Sequence, residues 1–128
     1  MKIVVLVARM LLGLLFVVSG VMSFVLIGNP PPSPPGLAGE FMVPYFASHW
    51  VLFVASIQII AGVLLVVNRY VPLALIMLAA VLYNILAFHV TMQPAGIGPA
   101  LIATALWFLI AWPLRRHFAS LLSAKNDE

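Results

Sequence analysis

Residues 72–91 read Pro-Leu-Ala-Leu-Ile-Met-Leu-Ala-Ala-Val-Leu-Tyr-Asn-Ile-Leu-Ala-Phe-His-Val-Thr, twenty residues without a charged side chain. About 20 predominantly apolar residues in helical conformation match the hydrocarbon thickness of a bilayer. Pro72 sits where a helix starts, since its missing N–H has no partner in the first turn. Met92-Gln93-Pro94-Ala95-Gly96-Ile97-Gly98 then supplies a compact run of breakers. The stretch therefore predicts a membrane-spanning helix, and its neighbours repeat the pattern. Downstream, Pro99–Leu114 is a second candidate. Upstream, beyond the short turn Asn68-Arg69-Tyr70-Val71, lies Trp50–Val67. The first apolar run covers Met10–Ile27, or begins at Ile3 if Arg9 is tolerated within it. With spans near 3–27, 50–67, 72–91 and 99–114, the short connections force antiparallel neighbours. The expected architecture is an all-α four-helix bundle with up-down topology, a single transmembrane domain over 1–128.

Composition agrees with a bilayer environment. Apolar residues make up 65% of the chain and charged ones 7%, against about 25% charged in soluble domains. Polar surface is too scarce to coat a water-soluble globule, which excludes a soluble enzyme, a nucleic-acid-binding domain and a disordered chain. Cysteine is absent, excluding disulfide frameworks, thiolate zinc sites and cysteine-ligated clusters. The net charge of +3 is a topology signal. Lys2 and Arg9 precede the first span, Arg69 lies between the second and third, and Arg115, Arg116 and Lys125 follow the fourth. All six fall on one side, so both termini are expected in the cytoplasm. The first span lacks a small-x-small cleavage site and reads as an uncleaved helix.

The remaining long loop faces outward on this reading. Gly28-Asn29-Pro30-Pro31-Pro32-Ser33-Pro34-Pro35-Gly36 predicts a stiff polyproline segment. The following residues, Glu40 to Trp50, carry aromatics suited to the bilayer interface and predict a short interfacial or re-entrant element.

Polar groups within the bilayer cost free energy and each needs a partner or a role. Gln58 lies eight residues below the outer end of its span, roughly 12 Å deep, and Asn84 seven below its own. Thr104 lies five below, while His89, His49, Tyr45 and Glu40 stand nearer the outer surface. The inner half is almost purely aliphatic, which predicts a polar pocket opening outward. Helical spacing selects inward faces: Arg9, Gly13, Phe16, Gly20 and Ser23 in the first span, Ala55, Gln58 and Gly62 in the second, and Ala100, Thr104, Trp107 and Ala111 in the fourth. Gln58 and Asn84 read either as interhelical hydrogen-bonding groups or as pocket lining. His89 is either an interfacial residue or a ligand or proton-relay group. His49 reads as an interface anchor, and Arg9 either as a snorkelling boundary residue or as a charge held inside the bundle. Glu40, His49 and His89 have ligand chemistry, but their spacing forms no metal motif, and no metal site is assigned.

No phosphate-binding loop, Ser/His/Asp array or pair of intramembrane acids is present, and no repeat of the kind transporters use. What remains is a resemblance. Arg9-Met10-Leu11-Leu12-Gly13-Leu14-Leu15-Phe16-Val17-Val18-Ser19-Gly20 resembles the opening helix of the DoxX family. Gly62-Val63-Leu64-Leu65 and Asn68-Arg69-Tyr70-Val71-Pro72-Leu73-Ala74-Leu75 are similar to its second-to-third helix junction. Asn84-Ile85-Leu86-Ala87-Phe88-His89 followed by Gln93-Pro94-Ala95-Gly96 is similar to its third helix and the turn after it. The likeness covers about residues 8–122. It implies a four-helix protein of the prokaryotic inner membrane, in a family where some members are named as subunits of a thiosulfate:quinone oxidoreductase. Many relatives carry Lys where Ser23 stands and often Glu near Gln58, so an intramembrane charge pair available to them is missing here.

Together these readings give an expected accessory or anchor subunit of a quinone-linked membrane redox complex, with no covalently bound cofactor. Quinone is the candidate ligand. Gln58, Asn84 and His89 would bond its carbonyls, Phe88 and Trp107 would wall the pocket with Thr104 beside them, and Glu40, Tyr45 and His49 would stand at its outer face. Expected partners are the lipid bilayer, a redox-enzyme subunit and a second copy of the chain, with no nucleic acid. The alternative is a non-catalytic structural bundle that recruits a partner through its proline-rich loop.

Overall fold

The computed structural model describes residues 1–125. Its described residues are helical or irregular, with no strand. The helices are α1 (Lys2–Leu26), α2 (Gly36–Ala47), α3 (Trp50–Val66), α4 (Val71–Thr91), α5 (Ile97–Ala111) and the short α6 (Arg115–Ala119). A 3-10 turn at Pro94–Gly96 precedes α5, and others flank α6 at Trp112–Leu114 and Ser120–Leu122. The helix expected over 99–114 therefore leaves α-helical geometry after Ala111. Pro113 has no N–H to continue the ladder, and the chain tightens into a 3-10 turn there.

α1, α4 and the run Pro94–Leu122 are each long and apolar enough to cross a membrane; α2 and α3, bent by 83° at their break, qualify together as a fourth. The bend falls at His49, whose φ of 65° places a non-glycine residue in the left-handed region. The element expected between the proline-rich loop and the second span is thus a distinct 12-residue helix. The loop itself folds back onto this helix. A side chain at Gly39 would run into the Pro34 carbonyl, so glycine is what lets the polyproline segment lie on the first turn of α2.

α1 packs against α3 and α5, and α4 against α3 and α5. The core between them is Leu12, Phe16, Leu65, Leu75, Leu78 and Ile110, interleaved with alanines such as Ala61, Ala74 and Ala103. No described polar or charged residue is fully buried. The outside is apolar too. Val18, Val25, Phe53, Ile102 and Phe108 are all exposed, the inverse of a water-soluble surface.

The closest seam joins α1 to α3. A Cβ on Gly62 would lie 2.7 Å from the Gly13 carbonyl oxygen, and one on Gly20 would lie 2.8 Å from the Ala55 carbonyl oxygen. Small residues here let two backbones approach within contact, the packing mode available to helices in lipid. Gly13 meets Gly62 and Gly20 meets Ala55, so the two helices run in opposite directions. The expected inward stripes of α1, α3 and α5 are found at their apolar and glycine positions. Gly13, Phe16, Gly20, Ala55, Gly62, Ala100 and Ala111 are buried, while Arg9, Ser23, Gln58, Thr104 and Trp107 are half-buried.

The pairing also gathers the cations. Arg9 reaches the last turn of α3, Arg69 lies in the following turn, and Trp107 bonds near the start of α4, with Arg115 and Arg116 just beyond. These positions define a basic end. The proline-rich loop, α2 and His89 define the opposite, loop end.

Candidate functional site

At the basic end Arg9 joins two helices. Its guanidinium donates to the carbonyl of Leu65 and, at 3.3 Å, to that of Val66. Both belong to the last turn of α3, where carbonyls have no intrahelical partner and the helix dipole is negative. The expected snorkelling residue is a half-buried cap on a neighbouring helix, which explains why α1 continues through it from Lys2. Trp107 forms the second bridge, its indole N–H donating to the Leu75 carbonyl at 2.8 Å. Leu75 precedes His89 by fourteen residues, about 21 Å of helical rise. Trp107 thus clamps α5 to α4 at the basic end. It does not wall a pocket beside His89, because its half-buried indole N–H is bonded at the level of Leu75 instead.

The polar residues expected to bond across helices in the other half satisfy themselves locally. Asn84 Nδ2 donates to the Ala80 carbonyl at 2.9 Å, and Thr104 Oγ1 to that of Ala100 at 2.8 Å. Ser23, Ser56 and Thr91 do the same with carbonyls four residues back. Asn84 is moreover exposed, on the face of α4 opposite its buried Leu75, Leu78 and Leu82. The structure separates it from any interior pocket. Gln58 is half-buried on α3 and bonds no described residue.

What the loop end does bring together is aromatic. Tyr45 stacks on Phe41 with ring centroids 5.5 Å apart, Phe41 meets Phe88 at 5.5 Å, and Phe88 meets His89 edge-on at 5.2 Å. Phe41 and Tyr45 are one turn apart on α2, and the 83° bend at His49 is what carries that helix toward α4. Two expected pocket residues, Phe88 and His89, are thereby linked to one expected outer-face residue, Tyr45. Burial pushes the Tyr45 phenol above the usual tyrosine range; a phenol is protonated at neutral pH without that shift, and its O–H can donate.

His89 is held by the turn that follows it. Its Nδ1 lies 3.1 Å from the Gln93 carbonyl oxygen, and the same oxygen accepts from the Gly96 N–H. A carbonyl only accepts, so in the neutral ring Nδ1 carries the proton and Nε2 keeps its lone pair. Pro94 keeps Gln93 out of the α-helical region (φ −146°, ψ 70°). At Gly96 a Cβ would stand 3.0 Å from His89 Cε1, so glycine leaves room for the ring. The run from His89 to Gly96 is an imidazole holder. Phe41, Gln93 and Gly96 were not singled out as site residues from sequence; the i, i+4 spacing of Phe41 and Tyr45 was the available signal for the first.

The remaining outer-face candidates border crevices around α2. His49 lines one of about 340 Å³ between the proline-rich loop and α2, walled by Ile27, Pro31, Met42 and Phe46. Glu40 is exposed beside a shallower one with Ser33 and Gly39. No group of three or more His, Cys, Asp or Glu among the described residues is placed to hold a metal ion.

A sequence model of the DoxX family matches residues 4–92, from the first turn of α1 to the end of α4. No curated protein and no solved structure matches the chain.

Proposed function

The chain belongs to the DoxX family, and from that premise we propose that it is an accessory or anchor subunit of a quinone-linked redox complex in a prokaryotic inner membrane. In this reading α1, α3, α4 and α5 cross the bilayer as an up-down bundle. The basic end faces the cytoplasm, as the gathering of cations there favours, and the loop end faces outward. α2 then lies at the outer interface. The alternation of exposed apolar and buried small residues along α1 and α3 supports a bilayer environment.

The observation that carries the ligand reading is the Tyr45–Phe41–Phe88–His89 array. Flat aromatic faces suit a flat ring, and the array ends in two polar groups of opposite sense. The Tyr45 O–H donates to a carbonyl; the His89 Nε2 lone pair accepts from a hydroxyl. A quinone would supply two-electron, two-proton carrier chemistry there. The chain's own part is to orient the ring at the outer leaflet, to fix the imidazole tautomer through Gln93, and to accept a hydroxyl proton at Nε2. Electrons are exchanged by a partner enzyme.

The test is ligand-induced stabilisation in detergent. A short-tailed quinol should raise the Tm of the wild type, with the rise largely lost in His89→Ala and Phe88→Ala. Equal rises in all three would refute the site. The alternative of a structural bundle that recruits a partner is favoured by the crevice between Pro30–Pro34 and α2. That reading predicts no quinol-dependent shift, and loss of a co-purifying partner when Pro31 and Pro32 are replaced by Ser.

A further inference from the structure

The outward face of α4 presents Asn84 where no other helix of the chain reaches it. The side chain is exposed and its one hydrogen bond is to Ala80 of the same helix. A primary amide offers two N–H donors and two acceptor lone pairs. One N–H and the amide oxygen therefore remain without a described partner. Asn84 lies seven residues from the end of α4, about 10 Å along the axis. A short side chain at that depth cannot reach the headgroups as Lys or Arg does. Left to face lipid, it would hold polar atoms in hydrocarbon with nothing to satisfy them.

We infer that this face of α4 is the contact between two copies of the chain, with Asn84 of one copy bonded to Asn84 of the other. Two copies inserted in the same orientation share a two-fold axis along the membrane normal, so the same residue meets itself at the same depth. An amide is self-complementary: the N–H of each donates to the oxygen of the other. Thr91 spends its single hydroxyl donor on the Ala87 carbonyl of its own helix, whereas Asn84 keeps a donor and an acceptor beyond its bond to Ala80. The neighbours permit the approach. Ala80 and Ala87, one turn to either side, are both exposed and small. A different polypeptide would need a polar group at matching depth, whereas a second copy has one by construction.

The inference rests on α4 spanning the bilayer and is independent of the quinone reading. The chain contains no cysteine, so single-cysteine variants report proximity without background. Ala80→Cys and Ala87→Cys, oxidised in native membranes, should give a covalent dimer. Val18→Cys and Ile102→Cys, on equally exposed faces of α1 and α5, should not. Asn84→Leu should weaken dimerisation roughly three- to thirtyfold, the range of one interhelical hydrogen bond, and Asn84→Gln should retain it. Recovery of each variant in the membrane fraction checks the spanning reading separately. Monomers throughout, equal cross-linking at all four positions, or cross-linking to a different polypeptide would overturn the assignment.

Discussion

Where α1 meets the end of α3, Arg9 donates to the carbonyls of Leu65 and Val66, and on the same side Trp107 ties α5 to α4. In the loop-side half, Asn84, Thr91, Thr104, Ser56 and Ser23 each bond a carbonyl of their own helix. The basic end spends its polar groups on joining helices; the loop end keeps them off that task. A helix whose hydroxyls are satisfied internally does not depend on its neighbours for them. The loop end is therefore free to change partners, to accept a ligand at His89 or a second copy at Asn84, without loosening the bundle.

Stability measurements in detergent distinguish the two ends. Gly62→Val should be most damaging, because the added carbons meet the Gly13 carbonyl and the Val17 backbone, neither of which can rotate away. A loss near the top of the usual overpacking range, about 3 kcal/mol, is expected in the unfolding free energy. Arg9→Met removes a charged donor from carbonyls at a helix end and should cost about 2 kcal/mol, with Arg9→Lys recovering part of it. Trp107→Phe keeps the ring and deletes the N–H, for a loss of about 1 kcal/mol. Thr104→Val, which removes a bond within a single helix, should change stability by less than about 0.5 kcal/mol. If Thr104→Val proved as costly as Trp107→Phe, the contrast between the two ends would be lost.

The site itself is sharpened by Gly96→Ala. The added methyl would crowd the His89 ring at 3.0 Å, so quinol-dependent stabilisation should fall while the Tm without ligand stays close to the wild type. Equal stabilisation of variant and wild type would show that the ring's seating does not matter.

Much of the fold was legible because it follows from local spacing. The stripe through Gly13, Phe16 and Gly20, and that through Ala55 and Gly62, marked the inward faces of α1 and α3, though not that these two faces meet each other. The rotation of α4 was not legible. In a helix that faces lipid on one side and apolar core on the other, hydrophobicity does not distinguish the faces, and Asn84 points away from Leu75 and Leu78 for reasons of packing alone. Nor does sequence say whether a hydroxyl bonds its own helix or another. Within the candidate site, the Phe88-His89 pair and the turn after it could be recognised as a motif. Its meeting with Phe41 and Tyr45 depends on a left-handed conformation at His49, which a non-glycine residue does not announce.

The claim that the loop end holds its polar groups ready for a ligand is tested most directly by native mass spectrometry of the protein extracted from its own membranes in mild detergent. A bound mass matching a quinone is expected on the wild type, absent from His89→Ala while the rest of the spectrum is unchanged. A spectrum with phospholipid alone, or a quinone mass that survives in His89→Ala, would contradict it.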